Sequence, residues 1–269
     1  MRDFTLKSYK TLLLALQRAG YQFQTFEEFL EYPAEGKVVV MRHDVDELAW
    51  NALKIAQLEN SLGIRATYFF RVVKQSNVPE VIERIVDLGH ELGYHYEDLS
   101  MAEGDMGKAM DLFRKNLASF RKYYPVRSIC MHGSSASKYD NRRLWDEHRI
   151  SDFGLIGEPY LSVDFDTVYY LSDTGYAWNG MKYAVRDVVD NSFGLVFHST
   201  QQIVECIEAG RFPEKNMILT HTLWTDSRFQ WLWLHFREML RNRVKLLAKN
   251  HKIIATWYGK IVKSYWKKS

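Results

Sequence analysis

Hydrophobic positions along this chain switch period repeatedly, from short unbroken runs to helical spacing and back. Lys37–Arg42 (KVVVMR) is a β-branched run that predicts a strand. Glu47–Leu62 then sets Leu48, Ala52, Ile55 and Ala56 at helical intervals, and Gly63 follows as a stop. Ala66–Phe70 (ATYFF) predicts a second strand. Asn77 and Pro79 open a helix that carries Val81, Ile82, Ile85 and Val86 on one face. The cycle repeats as a strand over Glu91–His95, a helix over Asp105–Tyr123 and a strand over Ser128–His132. Later apolar runs at Leu195–His198 and Met217–Thr222 predict two more strands, whereas Ile156–Asp190 mixes Asp, Gly, Tyr and Trp without a steady period. Such β-then-α units imply a parallel sheet with right-handed crossovers, and function at the carboxyl ends of its strands. Upstream, Thr25–Glu28 is a capping box opening a short helix. The start reads as an amphipathic helix, because the apolar run Leu12–Leu16 is too short for a signal peptide and no small-residue cleavage site follows it.

Composition narrows the class. The 269 residues are 46% hydrophobic and 26% charged, which excludes a disordered chain, and five prolines mark no linker. Cys130 and Cys206 are too few for a disulfide framework and sit in apolar stretches as buried free thiols, fitting a reducing compartment. No run approaches the ~20 apolar residues of a membrane span. These features together predict a cytoplasmic protein. From Ser227 to Ser269 eleven Lys/Arg face one acid, Glu238, so this tail carries +10 in a chain of net charge +3. That excess predicts either peripheral contact with an anionic membrane or simply a solvated helix face. No nucleic acid is expected, since no recognised binding motif accompanies the charge.

The strand ends hold the chemistry. Asp44 and Asp46 close the first strand and point to one side of it, while His43 and Val45 point to the other. Two adjacent carboxylates on one side repel each other unless a cation or proton lies between them. Asp46 as a helix cap would explain one of them, not both. His95, His132 and His221 end three further strands, and with the DxD pair they match the nitrogen and oxygen donor set of a catalytic divalent ion. Arg42, on the same side as Asp44, is placed to pair with it. Trp224, three residues after His221, is the aromatic chosen for stacking on a sugar, ahead of Tyr94, Tyr96 and Trp178.

With these residues in this order, the sequence resembles the polysaccharide deacetylase superfamily (NodB-type, carbohydrate esterase family four). It is most similar to a divergent bacterial branch reading RHDVD, ATYFF, GHELGYHYE, HG and a late TH, here spread from Lys37 to Trp224. The resemblance implies an α/β fold, a distorted (β/α) barrel of about seven parallel strands. The expected organisation is one domain over residues 1–269, with a helical extension over about 1–35 and a basic helical tail over about 227–269. The activity implied is metal-dependent removal of an acetyl group from a sugar or anionic glycan precursor in polysaccharide or envelope biosynthesis.

Carried over by position, Asp44 is the base, Asp46 and His95 bind the metal, and His221 is the general acid. The ion expected is zinc, with cobalt or nickel as alternatives. One departure stands out: the family's further histidine, four residues after the first, is Leu99 here and cannot ligate. His132 is the first replacement considered, then Asp98, Glu97 or water. The family's third motif is also missing near His132, where HGSSAS offers small hydroxyls. Asp173 and Asp187 are candidates to orient His221. The rival functions are hydrolysis of a cyclic amide or ureide, and a non-catalytic glycan-binding barrel with a degraded metal site, for which Leu99 argues.

Overall fold

The computed structural model describes residues 2–133, 137–184, 188–189 and 193–250. Helix α1 (Leu6–Arg18) leads into β1 (Gln22–Gln24), α2 (Phe26–Glu31) and β2 (Val38–Val45). Next come α3 (Ala49–Ser61), β3 (Thr67–Phe70), α4 (Pro79–Asp87) and β4 (Glu91–Tyr96). Helices α5 (Asp98–Met101) and α6 (Met106–Phe120) precede β5 (Ile129–Met131). The order ends with α7 (Pro159–Ser162), β6 (Tyr169–Ser172), α8 (Thr200–Glu208), β7 (Lys215–His221) and α9 (Arg228–Asn250).

All seven strands pair in parallel, in the order β5-β4-β3-β2-β7-β6, with β1 beside the first half of β2. The sheet curls into an open barrel, the α/β class the sequence predicts. Strand alternation sorts the core into two clusters. Val39, Met41, Tyr68, Phe70, Leu92, Ile129 and Ile218 face outward against the apolar stripes of α1, α3, α4, α6 and α8. Val40, Phe69, Cys130, Tyr170, Met217 and Leu219 face inward and fill the barrel, and Phe26 of α2 joins them. Helix α2 is fixed there by its own N–H groups: Phe26 donates to Thr67 Oγ1 at 2.7 Å and Glu27 to Glu91 Oε2 at 3.0 Å. Gly93 makes the packing inside possible, because it pairs with Phe69 across the sheet and a Cβ there would sit 2.3 Å from the Phe69 ring.

Several expectations change. Leu195–His198 is not a strand. Gly194 sits at φ +67 ahead of it and Val196 is exposed, so the segment runs as a loop into α8. The strand beside β7 is instead β6, inside the stretch without a readable period, and β1 is added at Gln22–Gln24. The helix expected from Glu47 starts at Ala49, capped by left-handed Leu48 (φ 56) with no side-chain cap. Asp46 is therefore not spent on capping. Among the described residues, no helix is long and apolar enough to cross a membrane.

Candidate active site

The carboxyl ends of β2, β4, β5 and β7 converge because these strands are near neighbours in register. Asp44 lies opposite His221, and His95 opposite Cys130. Arg42, two residues before Asp44 and so on the same face, reaches up inside the barrel to grip it. Arg42 Nε donates to Oδ1 at 2.9 Å and Nη2 to Oδ2 at 2.7 Å, with both side chains buried. The pairing expected of Arg42 is present. Burial pushes the Asp44 carboxyl up, but Arg42, His95 and His221 outweigh it and hold it below the usual range.

Just above, Asp46 meets two imidazoles. His95 Nε2 lies 3.4 Å and His132 Nε2 3.5 Å from the same oxygen, Asp46 Oδ1. That oxygen is buried, yet it accepts no hydrogen bond among the described residues. Both imidazoles are aimed by their other nitrogen. His95 Nδ1 donates to the Cys130 carbonyl at 2.9 Å, and His132 Nδ1 donates to Glu97 Oε2 at 3.0 Å. Glu97 is itself gripped by Arg71, from Nε at 2.9 Å and Nη2 at 2.7 Å. Burial works against its charge, but Arg71 and His132 bring its carboxyl down to about 2. The Asp46 carboxyl, pushed up by burial, is held well below its usual range by His132, His95 and Arg71.

Two of the spacings in this trio, those from Asp46 Oδ1 to each imidazole, suit a divalent ion. Donors bound at ~2.0–2.1 Å to a tetrahedral zinc lie about 3.3 Å from one another, close to the two contacts at Asp46 Oδ1. One oxygen and two nitrogens, with both imidazoles oriented through Nδ1, is also a common ligand chemistry for zinc. Among the described residues, the group whose donor atoms all lie within 4.8 Å of one another is a different one that shares His95: Asp44, His95 and Cys130. Its donors are closer together, but Arg42 Nη2 sits 2.7 Å from both Asp44 Oδ2 and Cys130 Sγ and brings a positive charge into that space, which disfavours a cation there.

The other candidates for the third ligand lie elsewhere. Glu97 stands behind His132 rather than beside Asp46. Asp98 is buried on the outer side, accepting from Tyr94 Oη at 2.8 Å and Asn116 Nδ2 at 2.7 Å, and burial pushes its carboxyl up to about 7. Leu99 is buried core.

His221 ends β7 with its side chain only partly covered. Asp173, just past β6, accepts from the His221 backbone N–H at 2.9 Å and from Nδ1 at 2.7 Å. Trp224 Nε1 donates to the other Asp173 oxygen at 2.8 Å. Burial lowers the imidazole pKa, but Asp173 first, then Asp46 and Asp44, push it up to about 10.

Trp224 therefore needs correcting as a sugar platform. It is fully buried, packed against Phe4, Tyr9 and Trp178, and its polar edge holds Asp173. Tyr94, Tyr96 and Trp178 are likewise buried. Ser134, Ser135 and Ala136 of the HGSSAS loop, and Asp187, lie outside the described residues. Arg71 is the site residue that sequence reasoning missed. Its signal was a charged side chain immediately after ATYFF, at a strand's carboxyl end.

A comparison by sequence finds no matching protein family and no matching curated protein. Solved structures that the chain is similar to include family 4 carbohydrate esterases and peptidoglycan deacetylases. A pseudoenzyme of that family from Bacillus anthracis is 14% identical over 77% of this chain and 62% of its own, with a TM-score of 0.42. The family 4 carbohydrate esterase from Streptomyces lividans, in complex with acetate, is 15% identical over 80% of this chain and 90% of its own, at 0.41. A peptidoglycan deacetylase from Bacillus subtilis is 12% identical over 80% and 98%, at 0.38. The chain spans less than two thirds of the pseudoenzyme's length.

Proposed function

We propose that this chain is a metal-dependent hydrolase that removes an acetyl group from a sugar or glycan precursor. One observation carries the reading: two oriented imidazoles converge on a single buried carboxylate oxygen that accepts no hydrogen bond among the described residues, beside Asp44, whose carboxyl is held below the usual range, and His221, whose imidazole is pushed up to about 10 by Asp173. Asp46, His95 and His132 would hold the ion. When bound, it supplies a Lewis acid that polarises the acetyl carbonyl and acidifies water.

The rest falls to the chain's own groups. Asp44, kept ionised by the Arg42 fork, accepts the proton of the attacking water through its carboxylate. His221 stays an imidazolium across the neutral range, so Nε2 can donate a proton to the departing amine or alkoxide. An amine leaves poorly without that proton. Asp173 keeps the Nδ1 proton in place and the ring turned so that Nε2 points away from it.

The test is acetate release from a panel of N- and O-acetylated sugars, beside bound-metal analysis. The zinc-loaded parent should release acetate. Asp46→Ala and His132→Ala should lose both metal and turnover, and Asp44→Asn should keep metal while losing turnover by at least about 10²-fold. A parent that takes up none of zinc, cobalt or nickel, or one that loads and cleaves nothing on the panel, would overturn the reading.

A further inference from the structure

Helix α9 is built inside out. Its 23 residues turn Phe229, Leu232, Trp233, Phe236, Met239 and Leu240 to the surface, with Phe229 87%, Phe236 59% and Trp233 54% exposed. The side packed on the protein carries buried Leu234, and His235 against Tyr176, and is otherwise largely polar. Asn242 Nδ2 donates to the Gly175 carbonyl at 2.7 Å and Trp231 Nε1 to that of Asp3 at 2.8 Å. Arg237 and Arg241 both reach Glu47, at 3.0 and 3.1 Å, and both pair with buried Glu238 at 2.9 Å. These directional bonds fix the helix's rotation, so the apolar stripe is held outward and cannot roll into the core.

We infer that this face of α9 lies in the plane of an anionic lipid surface. Charge selects that occupant over the others. The helix carries six Lys/Arg against one acid, Glu238, which is already paired. Residues 251–269 add five lysines and no acid, interleaved with Trp257, Tyr258, Tyr265 and Trp266. A second copy, or the chain's own last segment, would set positive charge on positive charge. A surface of acidic headgroups over acyl chains meets both the stripe and its basic flanks. From Phe229 to Leu247 the stripe runs for about 27 Å at the helical rise, long enough to lie along a bilayer face. The inference rests on α9 and the composition of the residues after it, and holds whether or not the barrel hydrolyses anything.

Vesicle flotation of the full chain tests it, without substrate or metal. The protein should float with phosphatidylcholine vesicles containing a quarter phosphatidylglycerol, stay below with phosphatidylcholine alone, and be released by 0.5 M salt, where screening shortens to a few ångströms. The triple variant Phe229→Ser, Trp233→Ser, Phe236→Ser should lower partitioning at least tenfold and keep the parent's thermal midpoint, since the three side chains are exposed. Failure to float with acidic vesicles would overturn the inference, as would equal flotation by parent and variant. So would a salt-resistant dimer in sedimentation that the triple substitution dissociates, which would make a second copy the occupant.

Discussion

At the scale of single residues, carboxylates stand behind two of the histidines of the proposed site, Glu97 behind His132 and Asp173 behind His221. Asp173 is the sharpest case. A general acid acts only while protonated, and an imidazole pushed up to about 10 stays protonated through neutrality. The alkaline limb of kcat/KM for acetate release should therefore fall near pH 10. In Asp173→Asn the largest favourable charge is gone, so the limb should move down toward the ordinary imidazole value of ~6.5. Turnover at pH 8 should drop by about 10²-fold or more. A pH–rate profile checks this, and an unmoved limb would remove His221 from the acid role. Glu97 makes a parallel prediction for the metal. Glu97→Gln keeps the shape but weakens the grip on His132, so zinc affinity measured against a competing chelator should fall about 10–100-fold. Asp44, Asp46, His95, His132 and His221 were legible in the sequence because strand ends and side-chain alternation put them on one rim. Their partners were less so. Asp173 comes from a strand that could not be read, and Arg71 from a loop. Trp224 was misread because nearness to His221 along the chain does not tell which way an indole turns.

At the scale of elements, the sequence revealed what has a period. Helix α1 forms where the start of the chain predicts one, and α3, α4, α6, β3 and β5 lie within the runs that hydrophobic spacing predicts, while β2 and β4 run past theirs to Val45 and Tyr96 and β7 begins two residues early, at Lys215. β1 escaped because Gln22-Phe23-Gln24 is three residues long with polar ends, ordered by pairing with β2 rather than by its own pattern. β6 escaped because its outward Tyr169 and Leu171 and inward Tyr170 and Ser172 show no contrast of apolar and polar. α9 has a period, but the pattern cannot say which face turns to the protein. The barrel interior depends on one small residue that periodicity also ignores. Gly93→Ala would force the Phe69 ring off its place in the inner cluster. Overpacking of this kind costs about 1–3 kcal/mol. Urea unfolding should show that loss, with the paired change Gly93→Ala, Phe69→Leu recovering part of it. Equal stability of Gly93→Ala and parent would mean that the ring has room to yield.

At the scale of the whole molecule, the barrel is open between β5 and β6, and Arg42 sits where that gap must be held. The segment after β5 covers the seam. Ile129 N–H donates to the Gly157 carbonyl at 3.1 Å, and buried Glu158 accepts from Met131 N–H at 2.9 Å. Tyr160 then bridges inward, its hydroxyl 3.1 Å from Arg42 Nη2 and 3.3 Å from the Tyr170 hydroxyl of β6. One guanidinium thus touches Asp44 of β2, Cys130 of β5 and the segment that reaches β6. Removing it should do more than free a base. Arg42→Met leaves Asp44 charged in an apolar barrel, and breaking a buried pair from one side costs about 3–5 kcal/mol. The sign with pH follows. In the parent, Asp44 is held below its unfolded value, so its contribution is present above the ordinary carboxyl range and lost as pH falls through the folded value. Without Arg42, burial is no longer opposed by the main partner and the carboxyl moves up, so the gap between parent and variant should widen as pH rises from 4 to 8. Adding Asp44→Asn to Arg42→Met removes the stranded charge and should recover most of the loss, with little pH dependence left. Guanidinium unfolding of parent, both single variants and the double variant at the two pH values measures the coupling directly. Strict additivity would mean that the fork between Arg42 and Asp44 does not hold the barrel together.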